Sequence, residues 1–184
     1  MDNNNQPKQL LSAEDIKKAL QRLTHQILEK NPNLSEVALV GIQTRGVHLA
    51  KRIQKIINEL KGVEVPLGEL DITLYRDDLT AIGPKPVVKE TKIKFDMADR
   101  EIILVDDVLY TGRTIRAALD EIMDFGRPKK VELLVLVDRG HRELPIRADF
   151  VGKNIPTSGK EMVEVKLSEI DSQDQVIVVE KNKE

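Results

Sequence analysis

One segment, residues 101–114 (EIILVDDVLYTGRT), constrains the fold of this 184-residue chain most strongly. The apolar run 102–105 predicts a short buried strand, which ends in two adjacent carboxylates, Asp106 and Asp107. A small turn rich in hydroxyl groups, residues 111–114, follows and opens a helix whose apolar side chains recur at helical spacing. A strand, an acidic end and a glycine turn at a helix start together predict an α/β unit.

The same segment is suited to bind a sugar phosphate. Backbone N–H groups and the positive end of the helix dipole favour an anion at the turn, and threonine hydroxyls add donors. Asp106 and Asp107 can accept hydrogen bonds from the vicinal hydroxyls of a ribose. Taken alone, an acidic pair after a strand is commonly a solvated loop, and such a turn is commonly a helix cap. Their combination at this spacing is much more specific and favours a sugar-phosphate site.

Length and composition exclude several classes of protein. The length fits a single domain spanning residues 1–184, with residues 1–10 expected to be a disordered tail. The chain has no cysteine, and its three histidines are widely spaced, so neither a disulfide framework nor a zinc cluster is expected. No apolar run reaches membrane-spanning length and no signal peptide is visible, which predicts a cytoplasmic protein. The net charge of −2 gives no global argument for nucleic-acid binding.

Strands and helices alternate along the chain. A capping box at Ser12 and Asp15 predicts a helix to about Lys30, and later helices follow residues 41–46 and the acidic segment. Strands are predicted at 37–40, 70–75, 102–105, 131–137, near Phe150, and at 162–167 and 176–179. This order predicts a central, mainly parallel sheet flanked by helices, with residues 76–95 as a flexible loop or arm. The loops 41–46, 106–114 and 138–147 should converge at the carboxyl edge of the sheet.

The acidic segment closely resembles the signature of type I phosphoribosyltransferases, which bind 5-phosphoribosyl-1-diphosphate (PRPP). The resemblance implies the type I fold, with a mobile β-arm or lid and a small C-terminal hood. GIQTRG, residues 41–46, resembles the diphosphate loop of that family. The implied catalytic residues are Asp106, Asp107 and Arg45. The implied PRPP and nucleotide contacts are Thr44, Arg45, Gly46, Arg76, Val105, Asp106, Asp107, Val108, Leu109, Tyr110, Thr111, Gly112, Arg113 and Thr114.

The chemistry of phosphoribosyl transfer fits this arrangement. A base nitrogen attacks C1 of the ribose while the bond to diphosphate breaks, so catalysis rests on positioning and on electrostatic stabilisation. The resemblance implies Mg²⁺, held near Asp106 and Asp107 largely through substrate and water, because no other multi-carboxylate metal site is evident. The resemblance implies that purine-using relatives carry an aspartate at the position that corresponds to Tyr110. A neutral tyrosine there favours a pyrimidine base such as uracil, whose attacking N–H is already acidic.

Nearly the whole chain resembles the bifunctional pyrimidine operon regulators. The motifs DITLYRDDL, GRP and residues 136–158 extend the likeness beyond the two phosphate loops. It implies uracil phosphoribosyltransferase activity, binding of an mRNA leader that depends on UMP or UTP, and a homodimer or larger assembly. It places Arg139 near a base carbonyl, and a hood that includes Phe150, Val151 and Ile155 against the base edge. Strand core is an equally good interpretation of Phe150 and Val151.

The expected RNA-binding surface combines two basic clusters. Lys18, Arg22 and His25 share the outer face of the first helix, and the second cluster is Arg142, Arg147 and Lys153. Because amphipathic helices generally carry charge on their outer face, a solvated surface is the preferred interpretation of the first cluster when it is taken alone. With few aromatic residues in the chain, phosphate contacts and RNA shape should dominate recognition.

Two further functions stay open at this stage. One is a hypoxanthine or xanthine phosphoribosyltransferase, which an acidic residue in place of Tyr110 would have favoured. The other is a nucleotide-sensing regulator with the same fold, which binds nucleic acid without catalysis. The intact GIQTRG loop and the acidic pair argue against this regulator, because a sensor does not need the leaving-group loop.

Overall fold

The computed structural model describes residues 7–75 and 90–180. Within these residues the strands are, in chain order, β1 (Lys8–Leu11), β2 (Val37–Ile42), β3 (Leu67–Leu70), β4 (Glu101–Leu109), β5 (Lys130–Asp138), β6 (Phe150–Asn154), β7 (Glu161–Lys166) and β8 (Gln175–Glu180). The α-helices are α1 (Ala13–Lys30), α2 (Arg45–Lys61), α3 (Arg113–Phe125) and α4 (Ser168–Asp171), and a 3₁₀ helix covers Thr73–Tyr75. No helix in this part of the chain is long and apolar enough to span a bilayer.

The central sheet has five strands in the order β3-β2-β4-β5-β6, and every neighbouring pair is parallel. Its strands are nearly continuous apolar runs, because both faces of the sheet are covered. Leu39, Ile103 and Leu134 point to the face covered by α1 and α2. The side chains next to them in sequence, such as Ile102 and Leu133, pack on the opposite face with α3. The predicted α/β class with a mainly parallel sheet is therefore confirmed.

Helix α1 begins and ends where its sequence predicts. Ser12 Oγ accepts a hydrogen bond from Asp15 N at 3.2 Å, and Ser12 N donates to Asp15 Oδ2 at 2.9 Å, so the capping box is formed. Such a cap is worth about 1 kcal/mol of helix stability. The apolar stripe of Ile16, Leu20, Leu23 and Ile27 is buried against the sheet. The helix therefore buries one face and exposes its charged face.

A second, antiparallel sheet has the order β1-β8-β7, and we call this sheet and α4 the hood. Phe150 and Val151, which were expected in a hood, instead lie in β6 of the central sheet. The expectation of a disordered tail over residues 1–10 is wrong for residues 8–10, because Lys8 pairs with Val178 in β8. Local sequence could not show this pairing, since the partner strand lies at the other end of the chain. Residues 1–6 lie outside the described residues. The hood is thus built from both ends of the chain.

The region after β3 also differs from its prediction. The strand predicted over residues 70–75 ends at Leu70, and Thr73–Tyr75 turns into the 3₁₀ helix. The Asp71 side chain accepts a hydrogen bond from Thr73 N at 3.0 Å, a local aspartate turn that competes with strand pairing. Most of the expected arm, residues 76–89, lies outside the described residues. Its end returns to β3 through a backbone bridge between Glu69 and Lys92.

Candidate active site

Three loops meet at the carboxyl edge of the central sheet, as predicted. They follow β2, β4 and β5, which are parallel neighbours. The first turn of α2 packs directly on β4, since a Cβ added to Gly46 would lie 2.3 Å from the Val105 carbonyl oxygen. The other two loops are joined by a hydrogen bond from Glu143 N to the Thr111 carbonyl oxygen at 2.9 Å. The loops therefore form one continuous surface.

The carboxylate pair lies inside β4, not after its end. The strand continues to Leu109, with Asp106 paired to Val135 of β5. Asp106 is 6% exposed and Asp107 is half-buried. Burial, and then the negative charge of Asp107, raise the pKa of Asp106 well above its usual range, although a hydrogen bond from Asp107 N at 2.9 Å acts in the opposite direction. A ligand that brings hydrogen-bond donors or positive charge would relieve this unfavourable environment.

The turn after β4 has the geometry of an anion-binding site at a helix N-terminus. Gly112 precedes α3 with φ 94°, a left-handed conformation that glycine adopts without strain. Gly112 has no side chain that could cap α3 and no acidic residue lies in the first turn of the helix, while Thr111 Oγ1 accepts a hydrogen bond from Arg113 N at 3.3 Å. Helix α2 also begins without a side-chain cap or an acidic first turn, after a cis peptide between Gln43 and Thr44. Both helices thus begin at the same edge of the sheet without a carboxylate at their N-terminus, whereas α1 begins with the capping box of Ser12 and Asp15.

Arg45, predicted to bind the leaving group, is held by the hood. Its Nη2 donates to both carboxylate oxygens of Asp171 in α4, at 2.9 and 3.1 Å. Its Nε is buried without a hydrogen-bond partner. The position of Arg45 at the start of α2 matches the prediction, but its guanidinium already has an anionic partner. Arg76, the other arginine predicted to contact diphosphate, lies outside the described residues.

Arg139 is buried and connects the hood to the turn that follows β4. Its Nε donates to Thr157 Oγ1 at 3.1 Å and its Nη2 to the Glu161 carbonyl oxygen at 2.6 Å. The guanidinium carbon lies 4.0 Å from the centre of the Tyr110 ring. A cleft of about 410 Å³ lies beside it, with Ile155 in its lining. Arg139 and Ile155 therefore line one cleft at the carboxyl edge of the central sheet. Their contact with a base stays a prediction.

Phe150 is placed differently from the predicted base contact. It pairs with Leu134, four residues before the end of β5 at Asp138, which is about 13 Å from the carboxyl edge at the rise of a parallel strand. Its side chain is buried in the core, and Lys30 Nζ lies 5.2 Å from the ring centre. Strand core is thus the correct interpretation of Phe150. Val151 is half-buried in a groove of about 460 Å³ along β6.

The structure brings together most of the predicted RNA-binding residues. Lys18, Arg22 and His25 are exposed on α1. Lys153 of β6 lies beside them, where its Nζ donates to the Leu10 carbonyl oxygen at 3.2 Å and Arg22 donates to the Val151 carbonyl oxygen at 3.4 Å. Arg147 is exposed in the β6 groove. We call the five residues Lys18, Arg22, His25, Arg147 and Lys153 the basic face.

Arg142 lies apart from the basic face, in the loop after β5, and its contact with RNA stays a prediction. Its Nε donates to the Ile146 carbonyl oxygen at 2.9 Å, its Nη1 donates to the Tyr110 carbonyl oxygen at 2.7 Å, and it forms an ion pair with Asp138. These internal partners hold the loop after β5 against the acidic loop. The side chain was assigned to the surface because sequence shows its charge but not its partners.

The residues present fit Mg²⁺ bound mainly through a substrate. In residues 7–75 and 90–180 no group of three or more histidine, aspartate or glutamate side chains could hold a metal ion. The pair Asp106 and Asp107 alone would leave most positions of an octahedral ion to substrate oxygens and water, which is the usual way that Mg²⁺ is bound beside phosphates.

Sequence reasoning missed the contribution of the hood. Asp171, Thr157 and Glu161 contact Arg45 or Arg139 across long stretches of chain, and Asp171 is 126 residues from its partner in sequence. No local motif marks these three residues. They depend on a docking of the hood that only the folded structure shows.

Fold and site together define an α/β protein with a parallel central sheet, a carboxylate pair and two helix N-termini at one sheet edge. The chain belongs to the phosphoribosyl transferase family, whose domain matches residues 6–170. It is 60% identical over 173 residues to the "Bifunctional protein PyrR" of Thermus aquaticus, covering 94% of this chain and 96% of that protein. It is 55% identical over 177 residues to the protein of the same name from Caldicellulosiruptor bescii, covering 96% and 97%. The resemblance to bifunctional pyrimidine operon regulators is therefore confirmed.

Solved structures with a similar fold are more distant in sequence. A hypoxanthine phosphoribosyltransferase from Staphylococcus aureus has a TM-score of 0.71 at 20% identity, covering 98% of both chains. A hypoxanthine phosphoribosyltransferase from Trypanosoma cruzi has a TM-score of 0.74 at 17% identity, covering 94% of both chains. At these identities the likeness confirms the type I fold and carries no argument about the base.

Proposed function

We propose that this protein transfers the phosphoribosyl group of PRPP to uracil, giving UMP and diphosphate. We also propose that UMP or UTP in the same site controls its binding to the mRNA leader of pyrimidine biosynthesis genes, by transcription attenuation. The observation that carries the proposal is the carboxylate pair of buried Asp106 and half-buried Asp107 beside the start of α3, which has no carboxylate in its first turn. The bifunctional relatives support the regulatory half.

Each part of the site has a role in the proposed reaction. The turn 111–114 binds the 5′-phosphate, and Asp106 and Asp107 accept hydrogen bonds from the ribose hydroxyls. The start of α2, with Thr44, Arg45 and Gly46, binds the diphosphate. This order follows the sheet, because β2 and β4 are neighbours and their loops lie side by side.

Positioning and electrostatics supply most of the catalysis. The bond from C1 to the diphosphate oxygen breaks with its electron pair on that oxygen, and a uracil ring nitrogen forms the new bond to C1. The proton of that nitrogen passes to solvent. Positive charge grows on the ribose, where the carboxylate pair stabilises it. Negative charge grows on the diphosphate, where the N–H groups of α2 stabilise it. Mg²⁺ bound near Asp106 and Asp107 would supply further charge for the diphosphate.

A neutral side chain beside the base favours a pyrimidine. Tyr110 is held by the Arg139 guanidinium on its ring, at 4.0 Å. No carboxylate occupies this position to take a proton from a purine ring nitrogen. Uracil needs less help of this kind because its N–H is more acidic.

The basic face is the proposed RNA surface. It lies on α1 and β6, and Arg147 lines a groove that also includes Asp138 and Asn154, which border the base cleft. Nucleotide in the cleft can thus change RNA affinity by the coupling free energy between the two sites. Assembly into a homodimer or larger oligomer would join basic faces of several subunits.

Turnover with different bases tests the enzymatic half. Purified protein with PRPP, Mg²⁺ and uracil should produce UMP and diphosphate. The reaction is measured by the amount of diphosphate released. Hypoxanthine should react at least tenfold more slowly. Faster turnover with hypoxanthine would replace the pyrimidine assignment with a purine one.

Gel-shift titration with leader RNA tests the regulatory half. UMP should change the affinity, and Arg147→Gln should weaken binding and lower its salt dependence by about one phosphate contact, without altering UMP formation. Arg116→Gln is the matched control, because Arg116 is an exposed cation on α3, which packs on the opposite face of the sheet from α1. Equal binding by both variants, or no effect of UMP, would contradict the proposed surface.

A further inference from the structure

The hood docks on α2 through three carboxylates that bind two arginines. Arg45 binds Asp171, as described above. Arg52, seven residues further along the helix, donates from Nε to Glu169 Oε1 at 2.8 Å and from Nη1 to Asp174 Oδ2 at 2.6 Å. Positions seven apart on a helix lie on the same face, so these contacts attach the hood along one side of α2.

The two arginines differ in what they can do besides holding the hood. Arg52 lies about 10 Å along the helix axis from the proposed diphosphate loop, and its two carboxylate partners engage three of its nitrogens. Arg45 is the first residue of α2, inside that loop, and only its Nη2 binds Asp171. Its Nε is buried without a partner, and a buried donor of this kind is unfavourable unless an acceptor reaches it.

Asp171 presents a stable negative charge to Arg45. Leu167 N donates to Asp171 Oδ2 at 2.9 Å, which orients the carboxylate. Burial acts to raise the pKa of Asp171, but the hydrogen bonds from Leu167 N and from Arg45 outweigh it and leave the pKa below its usual range. Asp171 is therefore ionised at neutral pH, and its carboxylate is chemically similar to one phosphoryl group of diphosphate.

Building on the proposed function, we infer that Asp171 is a positioning residue that competes with diphosphate for Arg45. In this structure the hood carboxylate holds the guanidinium, and binding of diphosphate transfers Arg45 from Asp171 to the leaving group. The hood stays attached through Arg52. The competition weakens binding of both PRPP and product diphosphate, which favours product release.

Asp171→Asn tests the inference in the full-length protein, because it removes the charge and keeps an acceptor for Leu167 N. Calorimetric titration with inorganic diphosphate and Mg²⁺ should show roughly two- to fivefold tighter binding, as expected for loss of one partly exposed ion pair. KM for PRPP should fall without a matching rise in kcat, since diphosphate leaves more slowly. Asp171→Glu should return both values toward those of the parent protein.

Two controls separate competition from a loosened hood. Glu169→Gln weakens the neighbouring contact with Arg52 and should leave diphosphate affinity unchanged. In an Arg45→Ala background, Asp171→Asn should no longer tighten binding, because the competed side chain is gone. Unchanged or weaker affinity in Asp171→Asn, equal tightening in Glu169→Gln, or tightening that persists without Arg45 would each overturn the inference. If the parent protein binds no diphosphate, the proposed function fails and the inference fails with it.

Discussion

The two edges of the central sheet both bury a carboxylate but treat it in opposite ways. At the amino edge, Glu132 in β5 lies 2.6 Å from Lys30 Nζ and 3.4 Å from Lys130 Nζ. At the carboxyl edge, the neighbour of Asp106 is another carboxylate, Asp107. Burial and the charge of Asp107 raise the pKa of Asp106. The difference shows where binding energy is kept available, because a paired charge is already satisfied and an unpaired one gains from a ligand.

The helix ends follow the same division. Lys30 ends α1 at the amino edge, where its positive charge also favours the carbonyl end of the helix dipole. At the carboxyl edge, α2 and α3 begin with N–H groups and no acidic residue in their first turns. The amino edge therefore stabilises the fold and the carboxyl edge is suited to an anionic ligand. Substitutions at the two edges should separate stability from activity.

The largest expected effect is on activity at the carboxyl edge. Asp107→Asn removes a half-buried charge that we assign to the ribose hydroxyls and Mg²⁺, so kcat/KM for PRPP should fall by about 100-fold or more. Because no cation in residues 7–75 and 90–180 forms an ion pair with Asp107, thermal unfolding should change little. Steady-state kinetics and a melting curve measure both. Parent-like kinetics would show that the ribose lies elsewhere.

At the amino edge the expected effect is on stability. Glu132→Gln removes the charge that pairs with Lys30 and Lys130, and the free energy of unfolding should fall by about 1–2 kcal/mol. The estimate is at the low end for a buried pair because Lys30 is half-exposed and keeps Asp149 at 3.2 Å. UMP formation at 25 °C should be retained. Urea denaturation is the measurement.

Glu59→Gln is the control for the amino edge. It removes the partner of an exposed helix pair, Lys55 and Glu59 at 3.9 Å, and should change the free energy of unfolding by less than about 0.5 kcal/mol. An equal loss in both variants would mean that burial of Glu132 does not decide the outcome.

Apart from the control, the smallest expected effect is a gain in stability, from Asp106→Asn. Because the pKa of Asp106 is raised in the folded state, that state holds its proton more tightly than the unfolded chain. Stability from this group is therefore present in acid and lost as the pH rises from the ordinary carboxyl range to the raised pKa. The neutral amide avoids this loss, so the variant should be about 1 kcal/mol more stable at pH 7, with no advantage in acid. Urea denaturation at several pH values measures this difference in stability. A variant that is less stable than the parent at pH 7, or more stable only in acid, would contradict the prediction.

Sequence predicted the elements that local pattern specifies. The α1 capping box, the parallel order implied by strand–helix alternation and the convergence of three loops were all visible in the chain. The carboxylate pair and the glycine turn were found for the same reason, since strand, turn and helix start are adjacent in sequence.

Contacts between distant segments could not be predicted in the same way. The partners of Arg45, Arg139 and Arg142 lie on other loops or on the hood, and a charged side chain in a sequence carries no record of its partner. Strand register caused the error at Phe150, because four residues of offset along β6 separate the core from the carboxyl edge. Residues 8–10 were missed because a short edge strand depends on its pairing.

The position of bound UMP tests the central claim most directly. In a crystal structure of the complex, we expect the phosphate oxygens within hydrogen-bond distance of backbone N–H groups in residues 111–114. The ribose hydroxyls should lie against Asp106 and Asp107. A phosphate bound away from this turn, or a ribose that does not reach the carboxylate pair, would contradict the assignment of the site.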